Sequence, residues 1–330
     1  MTELGGRWFV AGGAGFIGSH LVDRLVARSP GTVYDDLSVG KRDFLAPHLA
    51  SGAVTLEVAD LRDLERLTRV MAGHELVFHL AANPEARWGL ENPRLDLEQG
   101  TIVTHNVLEA MRRTGARRLV FASSGTVYGD TPEPCAEGDL GRLPISLYGA
   151  SKLAGEALVS AYVECFGLQG WIFRFGNVVG PRGTHGAALD FLHRLKTAPD
   201  QLEVLGDGRQ AKPYVWVEDV ADAILFTLDH ARERLNVHNI APPDVTTVAR
   251  IAELCVAASP NPAAAIRYLG GDRGWPGDIP RSRMIGDRLA ALGFRLTHSS
   301  DEAVAAAVAA LAREVFAGDA APPTRAQRGG

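Results

Sequence analysis

Short apolar runs closed off by turn residues recur along the chain, at positions 8–11, 32–34, 54–58, 76–81, 119–122 and 171–175. Consecutive apolar positions over so short a length predict strands covered on both faces. Between them, apolar residues return every three or four positions: Ile17, Leu21 and Leu25 with Val22 and Val26, then 61–71, 102–111 and 152–162. That is helical period. Strand and helix alternate, so this part of the chain is predicted to be α/β, a parallel sheet with helices on each side.

The rhythm breaks after Phe175. Positions 176–186 are rich in glycine, 189–196 has helical period, and Leu205-Gly206-Asp207-Gly208-Arg209 reads as an exposed turn. Positions 214–217 and 219–228 read again as strand then helix, 267–284 as loop, and 302–316 as a last helix. The pattern divides the chain into a first domain, 1–176, to which 214–242 returns, and a smaller α/β domain from 177–213 and 243–316. The tail 317–330, made largely of Ala, Pro, Gly and Arg, is predicted to be disordered.

The 330 residues are enough for about two domains. The 34 basic against 39 acidic residues leave a net charge of -5, which offers no footprint for nucleic acid or an anionic membrane. Cys135, Cys165 and Cys255 are odd in number and widely spaced, so neither a disulfide framework nor a metal site is expected. Met-Thr-Glu-Leu-Gly-Gly-Arg leads directly into the first strand without a secretory pattern, and no run approaches the ~18 apolar residues of a membrane span. A cytoplasmic protein is expected.

The first strand runs into Gly12-Gly13-Ala14-Gly15-Phe16-Ile17-Gly18, and a helix starts at once. Gly12, Gly15 and Gly18 suit a tight turn, close approach to a pyrophosphate and close helix–strand packing, while Phe16 and Ile17 open a helix whose amides face the phosphates. About 20 residues on, Asp35-Asp36-Leu37-Ser38 ends the second strand, where a carboxylate can bind the adenosine ribose hydroxyls. A carboxylate there repels a 2′-phosphate, so NAD is expected rather than NADP, with Lys41 and Arg42 as the contrary signal. Asp60-Leu61, ending the third strand, either meets the adenine or caps a helix.

Tyr148 and Lys152 stand four positions apart, on one face of a helix. A phenol ionises near ~10 and becomes a useful base at neutral pH only when a cation stabilises its anion. Ser124 lies in Ser123-Ser124-Gly125-Thr126-Val127-Tyr128-Gly129, at the end of the fifth strand, on the carboxyl edge where open α/β sheets bind ligands.

Together with His79-Leu80-Ala81-Ala82, Arg174-Phe175-Gly176-Asn177-Val178-Val179-Gly180-Pro181 and Tyr214-Val215-Trp216-Val217-Glu218-Asp219-Val220, these segments resemble the extended short-chain dehydrogenase/reductases, the NAD-dependent epimerase/dehydratase family acting on nucleotide sugars. The resemblance covers residues 7–316 and implies a Rossmann-type doubly wound sheet with a smaller substrate domain. It implies that Ser124 bonds the reacting sugar hydroxyl, Tyr148 is the general base, and Lys152 holds the nicotinamide ribose and lowers the Tyr148 pKa. It places Leu80, Ala81, Ala82 and Phe175 beside the cofactor, and Thr126 and Asn177 beside the substrate. It also implies a homodimer through two helices, for which Ile102, Val103, Val107, Leu108, Leu153, Leu158 and Tyr162 supply apolar surface.

Dehydratases and decarboxylases of this family carry an acid just before Val-Tyr-Gly; this chain has Gly125 and Thr126. Oxidation followed by reduction, with no group lost between, inverts one carbon, so a 4-epimerase of the UDP-glucose/UDP-galactose type is expected. UDP-glucuronate, UDP-N-acetylglucosamine or a GDP-sugar remain as substrates, and a net dehydrogenase or a non-enzymatic NAD-binding regulator as other functions. Lys212 and Arg273 are either diphosphate ligands or solvated charges, and Arg87 and His185 sit on loops expected to rim the sugar. Gly100, Pro213 and Trp216 depart from the family pattern, which commonly has Asn, Asp or Ser, and His at those places.

Overall fold

The computed structural model describes residues 6–139 and 142–317; all but the first residue of the 317–330 tail lies outside the described residues. Seven strands form the central sheet: β1 Trp8–Ala11, β2 Gly31–Asp35, β3 Val54–Val58, β4 Leu76–His79, β5 Arg118–Ser124, β6 Gln169–Phe175 and β7 Leu235–Ile240. All pairings are parallel, in the order β7-β6-β5-β4-β1-β2-β3.

Successive residues of a strand face opposite sides, and the sheet accordingly has two cores. Trp8, Val10, Val33, Phe78, Val120 and Phe173 pack with Leu21 and Leu25 of the helix Phe16–Leu25 and with Ile224 and Leu228 of Val217–His230. Phe9, Val77, Leu119, Phe121 and Ile172 pack with Leu67, Val107, Met111 and Val159 on the other side. A third core joins Phe191, Leu195, Leu202, Ile251, Val308 and Leu311 from elements between Ala187 and Phe316.

The differences from expectation are local. The helix expected at 152–162 runs from Leu147 to Phe166, because Ser146 caps it by accepting the Gly149 amide at 3.1 Å. Its first turn, Tyr148-Gly149-Ala150-Ser151, lacks the apolar period that marks the rest. The helix expected from Leu61 starts at Leu64 under an Asp63 cap, so Asp60 is not the capping residue. A π-helical turn, Leu97–Ile102, precedes Val103–Thr114. Among the described residues no helix is long and apolar enough to cross a membrane, no metal-binding cluster occurs, and all three cysteines are free.

Candidate active site

Glycines build the turn after β1. Gly12 has φ +82°, and a Cβ there would lie 2.6 Å from the Ala81 nitrogen; at Gly18 it would lie 2.1 Å from the Gly12 oxygen. No larger residue fits either place. Around Gly15 a Cβ would meet only the Gly12 oxygen, at 3.3 Å, so the loop is open on that side. The helix that follows has neither a side-chain cap nor an acidic residue in its first turn, which leaves its leading amides for an anion. These residues fit a pyrophosphate, and with it a dinucleotide.

Asp35 is buried and accepts the Ala14 and Leu37 amides, each at 2.9 Å. Burial pushes its carboxyl up in pKa, and those two bonds oppose the shift. Asp35 thereby ties the second strand to the glycine loop and holds Leu37 at φ +58°, a left-handed conformation that costs about 1–2 kcal/mol outside glycine. The exposed Asp36 binds the Ser38 amide and hydroxyl at 2.9 and 2.6 Å. Lys41 lies 5.5 Å over the Phe44 ring. Asp60 pairs with Arg62 at 2.6 Å, and the Leu61 carbonyl is held by the Asn106 amide at 3.0 Å. Leu80 and Ala81 both donate to the Ala11 carbonyl, which folds 80–82 across the loop.

Ser124 ends β5 directly opposite Phe175, which ends β6. Its oxygen accepts the Thr126 amide at 3.2 Å and the Thr126 hydroxyl at 3.0 Å, so its own proton is free to point at Tyr148. Burial pushes the Tyr148 phenol up to about 12, and the hydrogen bond from Ser124 pulls the other way. Lys152 is pushed down to about 8 by burial, opposed by the Asp96 and Glu156 charges. The expected depression of Tyr148 by Lys152 is absent in this structure. The amine stands 5.7 Å from the Tyr148 ring centre and donates to the Ala122 carbonyl at 2.6 Å.

Ser124, Thr126, Tyr148, Phe175, Asn177, Arg87, His185 and Lys212, with Phe16 and Ile17, line one cavity of about 390 Å³. The charges in it are already matched. Lys212 binds Asp278 at 2.6 Å and Arg87 binds Glu85 at 2.9 Å. Burial lowers the His185 pKa, which keeps the ring neutral. Arg273 does not line the cavity; it holds Asp130 at 2.7 Å and the Asp278 carbonyl at 2.8 Å, one layer back. Asp190, the third acidic lining residue, pairs with Arg194 at 3.0 Å. Among the described residues, no lining carboxylate is left without a cation.

The lining residues Gln210, Tyr214, Trp275 and Asp278 escaped the sequence reading. Both polar atoms of the Gln210 amide are buried without a partner, and no local pattern marks that residue. Tyr214 was legible as part of a strand and of a family-like segment, without a place at the site; it stands opposite Asn177 in a two-strand pairing. At Gly100 a Cβ would fall 2.5 Å from the Ser151 hydroxyl, so an asparagine could enter only if Ser151 moved.

The profile of the NAD dependent epimerase/dehydratase family matches residues 8–241. A putative UDP-glucose 4-epimerase of Methanocaldococcus jannaschii is 34% identical over 69% of this chain and 75% of its own. A crystal structure of a UDP-galactose 4-epimerase superposes with TM-score 0.82 at 37% identity, over 93% of this chain and 99% of that one. The Thermus thermophilus UDP-glucose 4-epimerase, in complex with NAD, does so with TM-score 0.81 at 31% identity, over 92% and 98%. A Bacillus cytotoxicus UDP-N-acetyl-alpha-D-glucosaminuronate decarboxylase is 31% identical over 75% of this chain and 78% of its own, so resemblance alone does not choose the reaction. With its glycine loop, parallel sheet and Ser124–Tyr148–Lys152 set, the chain belongs to the NAD-dependent epimerase/dehydratase family, and its cofactor is NAD.

Proposed function

We propose that this protein is a nucleotide-sugar 4-epimerase of the UDP-glucose/UDP-galactose type. The observation that carries the reading is the state of the cavity carboxylates: Glu85, Asp190 and Asp278 are all ion-paired, and Gly125 and Thr126 precede Val127-Tyr128. Elimination of water needs a free acid or base next to the sugar carbon. Inversion does not.

Bound NAD supplies the redox chemistry, one hydride accepted and returned. Ser124, whose oxygen is fixed by Thr126, donates its hydrogen bond toward the sugar hydroxyl and Tyr148. Tyr148 takes the proton of the C4 hydroxyl at Oη and gives it back in the second half of the cycle. Lys152, charged and buried, leaves the Ala122 carbonyl to hold the nicotinamide ribose and steady the phenolate. Lys212 binds the diphosphate through its remaining ammonium hydrogens while keeping its bond to Asp278. The test is incubation of the NAD-loaded protein with UDP-glucose, UDP-glucuronate, UDP-N-acetylglucosamine and GDP-mannose, with products read by NMR. Inversion at C4 without net NADH supports the reading; loss of water or carbon dioxide, or steady NADH release, sinks it.

Lys212→Met should raise the KM for the nucleotide sugar roughly 10–100-fold with little change in kcat, as expected for a charged hydrogen bond worth ~1.5–3 kcal/mol. An unchanged KM in steady-state kinetics would place the diphosphate elsewhere. A homodimer also belongs to this reading. Val103, Val107 and Leu108 are consumed by the internal core, but Leu97, Ile102 and Phe166 stay exposed on neighbouring helices. Sedimentation at the mass of a single chain would count against it.

A further inference from the structure

Asp96 ends the short helix Arg94–Asp96 and is 1% exposed. A buried carboxylate is costly unless its oxygens are bonded, yet only half of this one is. Oδ1 accepts the Asn83 amide at 3.0 Å, and Asn83 is fixed by two further bonds to the Glu85 backbone. Oδ2 is buried with no hydrogen-bond partner.

The space around that oxygen is specific. A Cβ on Gly89 would lie 2.4 Å from Oδ2 and 3.6 Å from the Leu147 Cβ, so the slot exists because residue 89 is glycine, and it abuts the turn that carries Tyr148. Four residues on from Asp96, Gly100 brings the π-helical turn flat against Ser151, between Tyr148 and Lys152. The segment 96–100 thus approaches the catalytic helix closely at Gly100 and brings one buried carboxylate up to it. Glu98 turns outward, to Arg62 and Arg94.

We propose that Asp96 is a positioning residue for the catalytic pair, its unpartnered oxygen serving as a fixed counter-charge that keeps Lys152 an ammonium and Tyr148 a phenol until cofactor and substrate are bound. The electrostatics agree. Asp96 opposes the loss of charge on Lys152 and adds to the rise of Tyr148, and Lys152 in turn opposes the upward push of burial on Asp96. The other groups facing the pair do not replace it. Glu156, on the same helix as Lys152, is held by Arg174 at 2.7 Å. His79 of β4 is pushed down to about 3 by burial and is neutral. Ser124 of β5 carries no charge. Glu85 is paired with Arg87, and Glu91 of Trp88–Glu91 is exposed.

The rate readout rests on the epimerase reading; a second readout does not. In Asp96→Asn, Tyr148 loses a neighbouring anion and ionises at lower pH, and Lys152 loses the anion that retains its proton and discharges at lower pH. Both limbs of the kcat/KM–pH profile should therefore move down by about one unit, and Asp96→Glu should restore them. A residue that merely supports the fold would lower rate and melting temperature with the limbs in place, and that result overturns the proposal. Without any variant or sugar, carboxyl-carbon NMR of the NAD-loaded wild type must find Asp96 ionised at neutral pH; a protonated Asp96 overturns it too. If wild type turns over none of the sugars, the function reading fails while the NMR result still decides the role of Asp96.

Discussion

Replacing Tyr148 by Phe is expected to lower kcat by about 10²–10⁴-fold, the range set by removing a positioned general base, while bound NAD is retained. Among the described residues, the phenol is the group that the Ser124 proton is free to meet on the Tyr148 side of the cavity, and phenylalanine keeps the ring and its packing while deleting the proton acceptor. In this structure the phenol lies near 12, so at neutral pH almost none is ionised. Activity must therefore rise with pH until NAD and the Lys152 ammonium have brought the phenolate within reach. It must fall again as Lys152, already down at about 8, loses its proton. Initial rates across pH check both limbs, and the NAD content of purified variant checks that the lost step is chemical. A Phe variant as fast as the parent would move the base elsewhere.

The second large effect is one of stability. Arg174 is 2% exposed and donates to both oxygens of Glu156, at 2.9 and 2.7 Å, to the Tyr128 hydroxyl at 2.9 Å and to the Glu137 carbonyl at 3.0 Å. Ser123, next to Ser124, donates to the same Glu156. Arg174→Met keeps the aliphatic stem but leaves a buried carboxylate without a cation, which costs about 3–5 kcal/mol. A melting temperature lower by roughly 5–15 °C is expected. Adding Glu156→Leu to Arg174→Met should recover part of the loss, since the charge left behind, more than the missing attraction, destabilises the single variant. Calorimetry of the two variants decides; equal melting temperatures for Arg174→Met and wild type would show that water reaches Glu156.

One strand shows why part of the fold was not legible. Leu-Asn-Val-His-Asn-Ile, β7, has neither an apolar run nor a clean alternation, yet it extends the sheet along β6. Its two asparagines are buried and bonded to partners far away in sequence: Asn239 to the Cys135 and Ile285 carbonyls and the Tyr128 hydroxyl, Asn236 to the Gly170 carbonyl. A buried asparagine is tolerated when its partners are supplied, and local sequence cannot show that supply. β1 to β6 each carry enough apolar residues to mark them locally, and the pattern found them.

The site divides in the same way. Gly12, Gly15 and Gly18, the Tyr148–Lys152 spacing and the strand-end place of Ser124 are local geometry: a turn radius, one helix face, one sheet edge. Sequence by itself determined those, and with them the family and the cofactor. Only the tertiary structure decided which charges are free. It commits Lys212 to Asp278 and Arg273 to Asp130, spends Asp35 on the Ala14 and Leu37 amides, and holds Lys152 on the Ala122 carbonyl. It also leaves Asp96 and Gln210 with buried polar atoms that have no partner. The reason is physical: a side chain's charge state and its bonds depend on burial and on neighbours brought from far along the chain, 143 residues for Arg273 and Asp130, and the linear pattern carries neither.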